Sequence, residues 1–205
     1  MTDPIQIPKQ EHQFLEIRQC IAHRYNGRKD SDAYREQYRP VLLTEQGGEI
    51  VLVALDGRRA CRLAVSDHSR LHGASRGLYD VTADKASLVE LTPHTGEPPV
   101  WARGAWEMIL SDPGPDTPCV PVSDLSELCY ACAAFGVMIN PELPVITRGV
   151  MFVDPDNTNA VKVVGDGLLS AFMPLSHQGF KRGVDWQAAE YREQQQQQQQ
   201  ASKEG

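Results

Sequence analysis

The chain has 205 residues, of which 41% are hydrophobic, and a formal net charge of −7. That apolar content suffices for one ordinary domain or two small ones and excludes global disorder, while the negative balance excludes a general nucleic-acid or anionic-membrane surface. Residues 81–176 carry 4 Lys/Arg against 12 Asp/Glu, whereas residues 1–80 carry 12 against 11, so an anion-binding face is expected in the first part.

Taken in chain order, residues 1–10 form an extended arm, with prolines at Pro4 and Pro8. The segment "MTDPIQIPKQEHQ" lacks a basic start followed by an apolar run, so no secretory signal is expected. "EHQFLEIRQCIAHRY" has helical spacing, predicting a helix near 11–25. Phe14, Ile17, Ile21 and Tyr25 share one face, and Glu16, Gln19 and His23 lie opposite. "NGRKDSD" is a polar loop. "YRPVLLTEQGGEIVLVALDGRRACRLAV" reads as strands joined by turns at Gly47-Gly48 and Asp56-Gly57, the second being the stronger hairpin signal.

"GLYDVTADKASLVELTP" fits a further hairpin, and "VWARGAWEMIL" fits either a strand or a short helix. "SDPGPDTP" is a loop by its proline and glycine content. "VSDLSELCYACAAFG" predicts a second helix near 123–135, with Ser123 or Asp124 as cap, Glu127 in its first turn and Gly136 at its end. Strand-like runs follow at "VPVITRGVMFVD", "NAVKVV" and "LLSAFMPL". Residues 177–205 hold a glutamine tract and read as a disordered tail. The expectation is an α+β fold in which two helices, each with a single apolar stripe, pack on one face of a mostly antiparallel sheet.

Several groupings carry chemistry. "DHSRLH" sets Asp67, His68 and His72 close together; on a helix the two imidazoles would share a face, as zinc ligands do. A third ligand is missing, and Gly73 and Gly77 interrupt a long helix. "CYAC" has the spacing of thiol redox centres, but Cys129 falls well inside the predicted helix. Cys132 sits on its apolar stripe with Leu125 and Leu128, so both read as small hydrophobes. Asp154, Asp156 and Asp166 stand in turn-like settings and fit hydrated turns better than a metal site. Trp101 and Trp106 read as core aromatics rather than a base-stacking surface. The five cysteines are an odd, scattered set, no apolar window has the length of a membrane span, and a cytoplasmic protein with reduced thiols is expected. No cofactor motif is present.

The order of elements, together with three segments, resembles a domain of the bacterial DNA polymerase III sliding clamp (β-subunit). "VALDGRRACRLAV" stands where that family has a segment close to "ATDGHRLA". "CVPVSDLSELCYACAAFG" is similar to the family's "vP...l.el...l" segment, and "LLSAFMPLS" to its terminal "yviMPmRL". The resemblance covers about 11–66 and 117–176. It implies one clamp-like domain over 11–176, with an inserted or divergent segment at about 67–116. It also implies a non-enzymatic protein that binds a replication or repair partner carrying a short peptide motif. The partner-binding positions would be Asp56, Gly57, Arg58 and Arg59 on the hairpin, with Met173, Pro174 and Leu175 at the end strand. Arg58 replaces the family's histidine, "AC" intervenes before Arg62-Leu63, and Ser176 stands where the terminal arginine would be.

Clamps surround duplex DNA with basic helices. Here only the Arg24, Arg28 and Lys29 segment is basic, so DNA binding is expected to be weak, and a ring would require a homo-oligomer. The reduced size suggests a phage or mobile-element protein. Two rival readings remain: a small metal-dependent enzyme using Asp67, His68 and His72, and an adaptor or inhibitor with no DNA role. The Asp56-Gly57 hairpin itself is either a plain type I′ turn with solvated arginines or one wall of a peptide pocket.

Overall fold

The computed structural model describes residues 4–27, 35–135, 137, 146, 148–153, 161–165 and 167–172. The chain divides into two compact units. Residues 1–112 with 165–171 form the first, and residues 113–164 with 172–205 form the second. All strand pairings within each unit are antiparallel among those resolved. The fold is α+β.

In the first unit the strands are β1 (Ile5–Pro8), β2 (Val41–Gln46), β3 (Glu49–Leu55), β4 (Arg59–Ala64), β5 (Gly77–Lys85), β6 (Leu88–Pro93) and β10 (Leu168–Phe172). Their order across the sheet is β1-β6-β5-β2-β3-β4-β10. Strand β3 reads "EIVLVAL", and every residue from Ile50 to Leu55 is buried, as a central strand covered on both faces requires. Strand β6 instead alternates, with Val89 and Leu91 buried and Leu88, Glu90 and Thr92 partly exposed. At the edge, Gln6 donates to Glu90 at 3.0 Å and Thr82 donates to the same carboxylate at 2.8 Å, which ties β1, β6 and β5 on their polar face.

The first helix, α1 (Phe14–Ile21), packs against β3 and β4. Its buried residues Phe14, Ile17, Cys20 and Ile21 follow the expected stripe. The helix is shorter than the predicted 11–25 for two local reasons. Gln13 takes φ 63°, a left-handed conformation that cannot continue a helix. At the other end the Tyr25 amide leaves the helix to bond the Tyr38 carbonyl at 3.0 Å. This shortening overturns one expectation: His23 does not lie on an exposed helical face but is fully buried beyond the helix end.

"VWARGAWEMIL" resolves as a 3-10 turn, Val100–Arg103, followed by the short helix α2 (Ala105–Ile109). Trp101 and Trp106 are both buried, and the Trp101 indole donates to the Gln37 carbonyl at 2.8 Å. The aromatic pair is therefore core, as expected.

In the second unit, β7 (Cys119–Val122), β8 (Gly149–Val153) and β9 (Val161–Gly165) form consecutive antiparallel pairs. The second long helix, α3 (Leu125–Ala134), packs on β7 and β8. Asp124 caps it by accepting from the Glu127 amide at 2.9 Å, while Glu127 reaches back to the Ser123 amide at 2.8 Å. The arrangement is a variant of the capping box in which the return bond goes to the residue before the N-cap, so both predicted cap residues take part. Cys132 lies buried with its sulfur 3.5 Å from that of Met151. Burial pushes the Cys132 thiol up to about 12 and raises Cys129 as well, the opposite of a redox-active pair. Among the described residues no helix is long and apolar enough to cross a membrane.

Two leucines give a direct check on this packing. Leu52 is fully buried in β3, and Leu15 on α1 is 64% exposed. Leu52→Ala should cost about 2–5 kcal/mol of unfolding free energy. Leu15→Ala should change it by no more than about 0.5 kcal/mol. Urea denaturation of the two variants measures both.

Candidate interaction site at the Asp56 turn

Strands β3 and β4 pair from Val51↔Ala64 to Leu55↔Ala60, leaving Asp56 to Arg59 as the turn. Gly57 has φ 85°, and Arg58 is not among the residues of positive φ. One positive φ, at the first central position, is the type II′ pattern, which corrects the type I′ expectation for this hairpin. The type I′ signature lies instead at the β2–β3 turn, where Gly47 (φ 61°) and Gly48 (φ 88°) are both left-handed. At Gly57 an added Cβ would also come within 3.2 Å of the Tyr38 ring, so both the backbone and the neighbour require glycine.

Asp56 organises the turn. Its side chain is almost wholly buried. One carboxylate oxygen accepts the amides of Arg58 (2.9 Å) and Arg59 (3.0 Å); the other accepts Arg59 Nε at 3.0 Å and lies 3.4 Å from Arg35. The Arg35 guanidinium also donates to the Asp56 carbonyl at 3.1 and 3.3 Å. Arg59 continues to the Ala22 carbonyl at the end of α1, at 3.0 Å. The arginines are therefore not a solvated set. Arg58 is exposed, but Arg59 is tied to Asp56, and Arg62 bonds Gln46 at 2.8 Å and pairs with Asp112.

Aromatic rings brace this arrangement. The Arg35 and Arg39 guanidinium carbons lie 4.6 and 5.3 Å from the Tyr25 ring centre, and Tyr38 stacks on Trp101 with centroids 6.5 Å apart. Arg39 also pairs with Glu36.

Behind the turn lies a polar contact that sequence reasoning missed. His23 and Ser170 are both fully buried, with His23 Nε2 2.7 Å from Ser170 Oγ. The Gln19 carbonyl, 2.9 Å from His23 Nδ1, can only accept, so Nδ1 carries the proton and the serine hydroxyl donates to Nε2. Burial lowers the His23 pKa from 6.5 to about 4, assisted by the positive charge of Arg59 and opposed by the hydrogen bond to Gln19. Its dyad-like geometry has no solvent access and serves as a buried tie between the end of α1 and β10. No local signal marks it, because the helical period assigns His23 to the wrong face.

Strand β10 neighbours β4 in the sheet. The Ala64 amide faces the Gly167 carbonyl at 3.4 Å, and Ser170 faces the Ala60 carbonyl at 3.3 Å. Later residues of one strand thus meet earlier residues of the other, so the two run antiparallel and β10 advances toward the Asp56 turn.

The structure brings Asp56, Gly57, Arg58 and Arg59 together on one turn. Met173, Pro174 and Leu175, with Arg28 and Lys29, lie outside the described residues, as do Asp154, Asp156 and Asp166. Arg24 is described: its side chain is largely buried, donates to the Ile21 carbonyl at 2.9 Å, and lies 3.7 Å from Asp84. Asp84 also takes Arg18 at 3.0 Å. Asp67 and His72 form a pair at 3.1 Å, with His68 beside His12 rather than beside His72. Sequence reasoning also missed Arg35 and Tyr38, which enter the site from a segment without any repeating pattern.

No protein-family model matches the chain, and no curated protein matches its sequence. Among solved structures it is similar to DNA polymerase III subunit beta from Borrelia burgdorferi, with 12% identity and a TM-score of 0.49, covering 86% of this chain and 63% of that one. It is similar to the Pseudomonas aeruginosa subunit beta at 14% identity and a TM-score of 0.47, covering 86% and 66%. The Caulobacter crescentus pol III beta gives 13% and 0.45, again over 86% and 66%. The chain thus spans less than two thirds of the length of each of these structures.

Two measurements test the turn. Asp56→Ala removes the carboxylate shared by Arg35 and Arg59 and should cost about 3–5 kcal/mol, as loss of one partner from a buried ion pair does. Chemical denaturation reads it. The second concerns pH. The folded pKa of His23 lies below its unfolded value, so the unfolded chain takes up the proton first on acidification. The stability this group preserves is complete above pH 6.5 and is lost as pH falls from 6.5 toward 4, by roughly 3 kcal/mol in all. His23→Gln should remove that component, visible as a difference between the two stability–pH curves.

Proposed function

We propose that the chain is a non-enzymatic, clamp-like protein that binds a short peptide of a replication or repair partner beside the Asp56 turn. The observation that carries this reading is the pairing of β10 with β4. The second arm of the anchored hairpin and the strand that leads in sequence to Met173, Pro174 and Leu175 are neighbours, and β10 advances toward the turn. This supports the reading because β10, which precedes Met173, Pro174 and Leu175 in sequence, runs beside the second arm of that hairpin. Arg58 supplies a donor at the rim, Met173 and Leu175 supply apolar wall, and Asp56 with Gly57 sets the shape of the turn. On this reading, residues 67–116 are an inserted or divergent segment within a clamp-like domain spanning 11–176, and the protein acts as a homo-oligomer.

Duplex DNA binding on this reading is weak and strongly salt-dependent. Arg18 and Arg24 are engaged by Asp84, which leaves Arg28, Lys29 and the hairpin tip to meet phosphates.

Apolar anchors in such pockets carry more of the binding energy than rim charges. Met173→Ala should weaken binding of a fluorescent clamp-binding peptide by about 1–2 kcal/mol in anisotropy titrations, with melting unchanged. Arg58→Ala should cost less and mainly flatten the dependence on salt. A Met173→Ala variant that loses roughly 2–5 kcal/mol of stability instead would make Met173 a core residue and retire the pocket.

A further inference from the structure

Strand β10 reads "LLSAF", and all five residues are buried. A strand buried on both faces has no polar–apolar alternation to choose its register, since a slip along its neighbour still buries apolar side chains. Ser170 is the exception in this strand. Its hydroxyl has no exposure and lies 2.7 Å from Nε2 of the equally buried His23 and 3.3 Å from the Ala60 carbonyl. His23 is held from its other side. Its Nδ1 bonds the Gln19 carbonyl at 2.9 Å, and α1 is seated on the sheet through Phe14, Ile17 and Ile21, with Cys20 Sγ 3.4 Å from the Leu52 carbonyl. The imidazole is therefore a fixed point, and Ser170 is the residue that has to meet it.

We propose that the His23–Ser170 contact is the register pin of β10 and, through it, a positioning pair for the peptide site. Its bearing on binding rests on the function proposed above, because β10 precedes Met173, Pro174 and Leu175 in sequence. The pin itself does not depend on that reading.

One hydroxyl can decide the register because of what a slip leaves behind. With Ser170 moved away, His23 Nε2 and the serine hydroxyl would both be buried without partners, and each such group costs more than the bond itself contributes. Among the described residues no buried side-chain nitrogen or oxygen lacks a partner, so the observed register is one that satisfies both. A slip by two residues keeps every side chain on its own face and would displace the rest of the strand by about 6–7 Å relative to β4. A displacement of that size takes an apolar anchor out of its pocket. A single polar residue that sets register within an apolar contact is the best-attested use of such groups. The opposing reading is that the pair only adds stability while the backbone ladder fixes β10 unaided, which predicts one register with or without it.

Replacing both partners in the full chain tests it. His23→Leu with Ser170→Ala removes the pair without leaving an unpaired polar group, so the melting temperature should stay the same or rise, whereas Ser170→Ala alone should lower it. Cross-strand amide contacts measured by NMR read the register. The unsubstituted chain should place Ala64 opposite Gly167 alone, as their bond requires. The double variant should show additional pairings, or broadened signals in β4 and β10. Its affinity for the fluorescent clamp-binding peptide should fall about tenfold, as loss of one anchor does. The same readings on Ser170→Ala, which frees the register as well, keep the test independent of the histidine replacement. Variants with the native pairings alone would overturn the pin, whatever their melting temperature. Slipped pairings with unchanged peptide affinity would overturn the positioning role. Failure of the unsubstituted chain to bind the peptide would retire the proposed function and the positioning role together, while the cross-strand contacts still decide the pin.

Discussion

The buried carboxylate of Asp56 is the constraint around which the first unit is arranged. It takes the amides of Arg58 and Arg59, the Nε of Arg59 and the guanidinium of Arg35, so the turn and the separate segment carrying Arg35 meet at one negative charge. Arg59 passes the connection to the end of α1 through the Ala22 carbonyl. Arg35 passes it to the Tyr25 ring. Such a pair adds little net stability compared with apolar packing, because desolvating the charges offsets their attraction. Its value is geometric. With Asp56 and Arg59 fixed, the turn has one conformation, and Arg58 is the residue turned toward solvent.

This constraint also explains why parts of the molecule are legible in the sequence and others are not. Helices α1 and α3 follow from the spacing of Phe14, Ile17 and Ile21 and from the Ser123–Glu127 capping signal, both set by residues close in sequence. The β2–β3 and β3–β4 hairpins follow from their glycine turns in the same way. The turn type at Asp56-Gly57 does not, because it depends on where a buried carboxylate sends its bonds. His23 is misplaced by its period, since the helix ends at Ile21, four residues before the last residue of the apolar stripe, Tyr25. Strand β7 escapes notice because "CVPV" carries a proline and only four residues. Of the candidate site, the hairpin half was visible in "DGRR", while the partners that fix it, Arg35, Tyr38 and Tyr25, come from segments whose pairing is tertiary.

Charge counting by segment misleads for the same reason. The first 80 residues look nearly neutral with many cations, which suggests a surface able to meet phosphates. In the fold those cations are largely directed inward or toward carboxylates: Arg18 and Arg24 to Asp84, Arg35 and Arg59 to Asp56, Arg39 to Glu36, Arg62 to Asp112, and Arg70 to Glu11. A phosphate approaching α1 has to displace Asp84 before it gains two guanidiniums, and what it gains is reduced by what the pair loses. Counterion release, the main source of affinity for duplex DNA, scales with cations that are free to meet phosphates. Cations that are already paired internally contribute less to such release, which is why the proposed contact is assigned to apolar residues with Arg58, the exposed cation of the turn, at its rim.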